Sequence, residues 1–286
     1  MSSNTPEALF TEMSCRAAAT VMSKYSTSFS IATRLLSPQI RMDIRNLYAV
    51  VRIADEIVDG AAARLSSEQI SNELQDFRNA VYRGIALHFS SNPAIHAFAL
   101  TVQRCNIPHE YLEAFFDSME RDLQLTQHNP QSRAEYIYGS AEVIGLMCLH
   151  VFTVKHPLHG EQWDVAKRGA QALGAAFQNI NFLRDLGADR HELGREYIAP
   201  TAEAKNALIA EIRQDLSNAY AAIPLLPISA RTGVLTAHYL FSELANRLDA
   251  TPVEVIATTR VRVPGTVKAK LTSRAIATAP RLRPPR

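Results

Sequence analysis

Two polar seams, each running along an otherwise apolar helical stretch, constrain this chain more than any other feature. Between residues 46 and 60, Tyr48, Arg52, Asp55 and Asp59 stand at i, i+4, i+7 and i+11. Between residues 178 and 189, Gln178, Asn181, Asp185 and Asp189 stand at i, i+3, i+7 and i+11. Helical geometry stacks each set on one face. Most remaining positions are apolar or small, so both helices are predicted to be largely buried, with the seam facing inward. Carboxylates are costly to bury unless they are paired or bind metal. A single acid pair at i,i+4 is usually a solvated face. Here the spacing recurs, the acids interrupt apolar runs, and amide and Arg neighbours accompany both.

Two DxxxD pairs facing one cavity suit Mg²⁺, with Mn²⁺ as the alternative, because Mg²⁺ takes one or two carboxylates and fills its shell from phosphate and water. The candidate metal ligands are Asp55, Asp59, Asn181, Asp185 and Asp189. Arg52, Arg184 and Arg195 are candidates for direct contact with diphosphate oxygens, since Arg binds phosphate bidentately. Gln178 and Asn181 share a stripe with the aspartates and can orient phosphate, metal or water.

Composition sets the frame. A chain of 286 residues, 47% apolar and 20% charged, is an ordinary globular protein with room for a sizeable core. A net charge of +2 carries no signal for nucleic acid. Cys15, Cys105 and Cys148 are widely spaced with no CxxC pair, which fits a reduced, cytoplasmic compartment and no structural zinc. The start is polar and lacks a signal-peptide plan, and no run of about 18 apolar residues predicts a membrane span. From Arg260 onward there are only cations: Arg262, Lys268, Lys270, Arg274, Arg281 and Arg283 precede Arg286. Residues 266–286 are therefore expected as a frayed basic tail beyond a catalytic domain of residues 1–265, with weak peripheral contact to an anionic membrane as the functional reading.

The rest reads as helix throughout. Ser37-Pro38 opens the first seam's helix and Gly60 ends it. Ser66 with Gln69 forms a capping box for a helix to about Arg83. Asn92-Pro93 and Ile107-Pro108 open further helices, the second with a core stripe of Tyr111, Phe115, Phe116 and Met119. Others are predicted from Arg133 to about Lys155, Glu161 to about Gly187, Ala202 to Ile223, Ser229 to Leu248, and Pro252 to Thr259. Strand alternation is absent. The expectation is a single all-α domain of helices packed around a central cavity.

Several segments resemble the squalene/phytoene synthase family of head-to-head prenyl transferases over most of the chain. Residues 25–30 are similar to the family's "SFS" segment, carrying Ser26 and Ser28. Tyr48 to Arg52 and Asp55 to Asp59 are similar to its first aspartate motif. Tyr136-Ile137-Tyr138 with Val143 to Met147 resembles its "YCYxVAGTVGxM" helix. Gln178 to Asp185, Asp189 and Gly194-Arg195-Glu196-Tyr197 resemble "QxxNxxRDxxxDxxxGRxYxP", the longest and most specific pattern.

The resemblance implies an isoprenoid-synthase-type helical bundle. It implies catalytic roles for Asp55, Asp59, Asp185, Asp189, Arg52 and Tyr138, with Tyr138 near the reacting carbons. It implies substrate contacts from Ser26, Ser28, Tyr48, Gln178, Asn181, Arg184, Arg195 and Tyr197. The implied reaction joins two geranylgeranyl diphosphates to phytoene through a cyclopropylcarbinyl diphosphate, as in the bacterial phytoene-forming members. A farnesyl-using dehydrosqualene or squalene synthase is the enzymatic alternative, although no GxGxxG turn for NADPH is present. A non-catalytic helical assembly protein of the same fold is the other class, and it would be expected to lose motif acids that are intact here. Three departures stand out. Glu142 replaces a usual Gly, Ile198-Ala199-Pro200 replaces "LP", and Thr259 to Pro264 lacks the usual aromatic before "VP".

Overall fold

The computed structural model describes residues 5–62, 64–124, 129–188 and 197–284. Among these residues there is no strand. The helices are α1 (Pro6–Tyr25), α2 (Thr27–Arg34), α3 (Pro38–Asp59), α4 (Ser67–Leu87), α5 (Pro93–Cys105), α6 (His109–Asp122), α7 (Pro130–Ile137) and α8 (Val143–Thr153). There follow α9 (Gly160–Arg184), the one-turn α10 (Leu186–Ala188), α11 (Ala202–Ala222), α12 (Ile228–Ala250), α13 (Val253–Ile256) and α14 (Gly265–Thr278).

The starts follow local chemistry. Proline occupies the first turn of α1, α3, α5 and α7, where its missing N–H costs nothing. Thr5, Asn92 and Asn129 cap three of these with a side-chain acceptor, whereas Ser37 makes no side-chain cap bond. The Ser66/Gln69 capping box forms as expected. At the ends of α4 and α5, His88 and Asn106 take left-handed conformations with φ of 54° and 48°.

The core runs the length of the bundle and includes Leu47, Val50, Phe98, Phe116, Met147 and Ile180. Tyr111, Phe115, Phe116 and Met119 are core residues, as their spacing predicts. A buried polar knot ties α3 to α5. The Asp43 carboxylate accepts from Thr101 at 2.9 Å and pairs with Arg104, while Asn46 donates to Thr101 at 3.1 Å. The buried Asp43 charge thus has both a counter-charge and a hydrogen-bond donor.

Three expectations need correction. The helix expected from Arg133 starts at Pro130 and is interrupted by a five-residue π-turn, Tyr138–Glu142. Residues Pro130–Thr153 are also long and apolar enough to span a membrane by composition, yet 56% of that window is buried, as a core helix requires. The basic C-terminal segment is not a frayed tail. It folds as α14 and packs on α12, because Ala275 and Ala279 lie four residues apart and give it a small apolar face that is fully buried.

Candidate active site

The two seams meet at one cavity. Tyr48 and Val51 of α3 face Gln178 and Asn181 of α9 across an apolar space of about 280 Å³. Phe29 of α2 and Ile144 of α8 complete the upper walls, and Leu149, Ala166 and Leu226 close the far end. Along α9 the lining runs from Asn181 down to Ala166, about 22 Å at the helical rise per residue. The α8–α9 wall is close-packed. A methyl group on Gly145 would strike the Ala170 carbonyl, and one on Gly174 would strike the Ala141 carbonyl.

One or two turns beyond the lining residues, the acids and arginines ring the mouth. Arg52 pairs with both Asp55 and Glu56 and lies 4.4 Å over the Tyr25 ring. Desolvation in the cleft pushes the Asp55 carboxyl above its ordinary value; Arg52 offsets this, while Glu56 and Asp122 add to it. Asp185 caps the C-terminus of α9 and accepts from Arg184 Nε at 3.0 Å. Arg260, from the segment after α13, brings its Nε to 3.0 Å from Asp185 Oδ1.

An aromatic stack closes one side of this ring. Tyr197 stacks on Phe182 at 4.3 Å and on Tyr136 at 5.4 Å between centroids, and its hydroxyl donates to the Asp122 carboxylate at 2.9 and 3.1 Å. Tyr136 is buried, and its phenol is pushed well above its ordinary value by burial and then by Asp122, Tyr197, Asp59 and Asp55. It is therefore held in the neutral form. Asp122, Asp59 and Asp55 thus all bear electrostatically on the one phenol.

The candidates of the sequence reading fall out as follows. Tyr48, Gln178 and Asn181 line the cavity, and Arg52, Asp55, Arg184 and Asp185 sit at its mouth. Asp59 acts on Tyr136 beside Asp55. Ser26 is the N-cap of α2, accepting from the Phe29 N–H at 3.2 Å, and Ser28 is half-buried on the same helix. Tyr197 reaches the site through Asp122 and Tyr136. Asp189 and Arg195 lie outside the described residues.

Tyr138 is displaced from its expected place. It is 41% exposed in a shallow groove with Asp117, Ser118 and Arg121, and it does not line the cavity. Residues i and i+2 of a helix point to different sides. Of the pair, Tyr136 is therefore the inward one. Glu142 also faces away from the cavity: it accepts from Gln171 Nε2 at 2.9 Å, and burial pushes its carboxyl up. Sequence reasoning missed Asp122, Tyr136 and Arg260. For Tyr136 the helical phase relative to the apolar Tyr111–Met119 stripe was the available signal. For Asp122 and Arg260 there was none, since each reaches the site from far away in the chain.

The donor set at the mouth is all oxygen and fits a hard divalent cation. Among the described residues, no group of three or more acid, His or Cys side chains is placed to hold a metal ion.

Comparisons with known proteins agree with this architecture. The fold is similar to a dehydrosqualene synthase solved with a ligand, at a TM-score of 0.79 and 18% identity, covering 93% of this chain and 96% of that one. It is also similar to squalene synthase HpnC from Alicyclobacillus acidocaldarius, at a TM-score of 0.63 and 18% identity, covering 87% and 93%. In sequence, the chain is 28% identical over 197 residues to a bifunctional lycopene cyclase/phytoene synthase of Leptosphaeria maculans, covering 64% of this chain and 34% of the relative. It is 29% identical over 184 residues to chloroplastic phytoene synthase 3 of Zea mays, covering 62% and 41%. The chain thus spans about a third to two fifths of the length of the curated relatives it matches. The squalene/phytoene synthase family model matches residues 22–203, and the chain belongs to that family of head-to-head prenyl transferases.

Proposed function

We propose that this protein condenses two geranylgeranyl diphosphates to phytoene, a step of carotenoid biosynthesis, using Mg²⁺ or Mn²⁺ at the two aspartate seams. The observation that carries the enzymatic reading is the meeting of both seams at one apolar cavity, with Tyr48 facing Gln178 and Asn181. Length supports the chain class. At about 1.3 Å per extended bond, sixteen main-chain carbons need about 20 Å and twelve need about 15 Å, against the roughly 22 Å of lining along α9. The phytoene synthase relatives favour the same reading. Farnesyl diphosphate, giving dehydrosqualene, is the alternative favoured by the similarity to dehydrosqualene synthase.

Asp55, Asp59, Asn181 and Asp185, with Asp189, would hold the metal, which when bound supplies Lewis-acid neutralisation of the departing diphosphate. Arg52 and Arg184 would trade their carboxylate partners for diphosphate oxygens, with Arg195 as a further candidate. Tyr136, kept neutral first by burial and then by the nearby acids, is the phenol available to this site as a hydrogen-bond donor. The apolar walls from Phe29 to Leu226 exclude water from the reacting carbons. The test is incubation with farnesyl or geranylgeranyl diphosphate plus Mg²⁺, then extraction and mass analysis. Phytoene from the C20 substrate is the expected product. A C30 product alone assigns the farnesyl reading, and no hydrocarbon from either substrate points to a non-catalytic member of the fold.

A further inference from the structure

We propose that the outer face of α14, with the turn that follows it, docks on the headgroups of an anionic lipid bilayer. The helix is held rigidly by its inner face. Ala275 and Ala279 are fully buried against a cluster containing Ile223 and Leu235, and Arg274 lies 4.8 Å over the Tyr239 ring. Away from that face Lys270 and Ile276 are exposed, about a third of a turn apart around the helix, and Arg281 and Arg283 are exposed in the turn that follows. Ile276 is 49% exposed.

The charge here has no internal answer. Among the described residues, Lys268, Lys270, Arg274, Arg281 and Arg283 pair with no carboxylate. No acid follows Glu254 in the sequence, while the whole chain carries only +2, so the remainder is acidic and the positive charge is concentrated on this side. Fixed cations without counter-charge attract a polyanion. Two features select a bilayer over nucleic acid. An exposed Ile on a helix whose only charges are cations fits the boundary between headgroups and acyl chains, and α14 carries no aromatic ring on which a base could stack.

Position gives the surface its sense. Ile223 and Val234 line the cavity and also pack in the cluster beneath Ala275 and Ala279. The docking face therefore lies behind the apolar far end of the cavity, where the prenyl tails would lie. The choice of a bilayer rests on the proposed prenyl chemistry, but its test contains no prenyl substrate, so the two readings fail separately.

The test is sedimentation with phosphatidylcholine vesicles, with and without phosphatidylglycerol, comparing the wild type with Lys270→Glu/Arg281→Glu/Arg283→Glu. The wild type is expected to sediment only with phosphatidylglycerol present and to be released by high salt. The variant should bind at least about tenfold more weakly, with an unchanged melting temperature and unchanged turnover of detergent-dispersed substrate. Wild-type protein that stays in solution with anionic vesicles, or a variant that binds as well as wild type, overturns the proposal. Tighter binding to RNA than to the anionic vesicles also overturns it.

Discussion

Arg260 Nε stands 3.0 Å from Asp185 Oδ1, so a residue from the segment before α14 supplies a counter-charge to the second aspartate seam. Arg184 already engages the same carboxylate. Any cation bound at Asp185 competes with both. Arg260 is 54% exposed in its side chain, so its interaction is screened. Removing one charge a few ångströms away changes cation binding by about 1 kcal/mol, roughly fivefold. Arg260→Gln should therefore lower the Mg²⁺ concentration for half-maximal turnover by about that factor. A titration showing a higher requirement would mean that Arg260 serves the diphosphate rather than restraining Asp185.

Tyr136 and Tyr138 should separate cleanly. Tyr136→Phe removes a buried phenol next to three acids and is expected to cut kcat about ten- to a hundredfold, with the circular dichroism spectrum unchanged. Tyr138→Phe alters an exposed groove and should change stability by less than about 0.5 kcal/mol and turnover hardly at all. Steady-state kinetics of both variants decide it. Equal losses would return Tyr138 to the site.

Metal and diphosphate should stabilise together. The acids of α3 and α9 repel a lone diphosphate, and the arginines already paired to them oppose a lone metal ion. Mg²⁺ or diphosphate alone should shift the melting temperature little, whereas both at a hundredfold excess over Kd add about 2.7 kcal/mol, or several degrees. Asp185→Asn should weaken this synergy at nearly constant volume. Merely additive shifts in a thermal melt would show that the two ligands do not share a site.

Asp215 gives a pH signature unrelated to turnover. Burial, then Glu142 and Glu211, push its carboxyl up to about 6. A carboxyl raised on folding costs stability when ionised: the cost is absent below its ordinary range and complete above the folded value. Asp215→Asn should therefore stabilise the protein above about pH 6 and have little effect near pH 4. Because the group is half-exposed, the gain is set at about 1 kcal/mol. Urea melts at both pH values measure it; an equal gain at both would mean that the crowding of Asp215, Glu142 and Glu211 is not electrostatic.

Gly174→Ala should destabilise by about 1–3 kcal/mol, since the added methyl meets the Ala141 carbonyl and has no side chain to displace. Gly265→Ala meets nothing within 4 Å at the first residue of α14 and should be neutral or slightly stabilising. Chemical denaturation of the two variants tests the closeness of the cavity wall directly.

Much of this was legible in the sequence, for identifiable reasons. Helix starts at Ser67 and Pro93 announce themselves through caps that act within four residues, and the start at Pro38 through the proline itself. The seams are legible because Tyr48 and Gln178 share faces with acids two and three turns away. Residues brought in by tertiary packing were not. Asp122 meets Tyr197 across 75 positions, and Arg260 meets Asp185 across 75 more. The C-terminal helix was hidden because its cations and prolines read as solvated chain, while its buried face consists of only Ala275 and Ala279 with little else to signal a core. Thr5-Pro6-Glu7 carried a helix start that a polar composition masked.

The π-turn at Tyr138–Glu142 fits one more residue into its loop than an α-turn would. Each residue advances an α-helix by about 100°, so the turn works as a phase shift in a periodic pattern. Upstream of it, Tyr136 faces the acids; downstream, Ile144 and Cys148 face the cavity. Deleting one residue there would leave a good continuous helix yet swing Ile144 and Cys148 about a quarter turn out of the wall. Substitutions in this stretch can be absorbed one side chain at a time. A change in its length cannot, because the register of everything beyond it is counted from that turn.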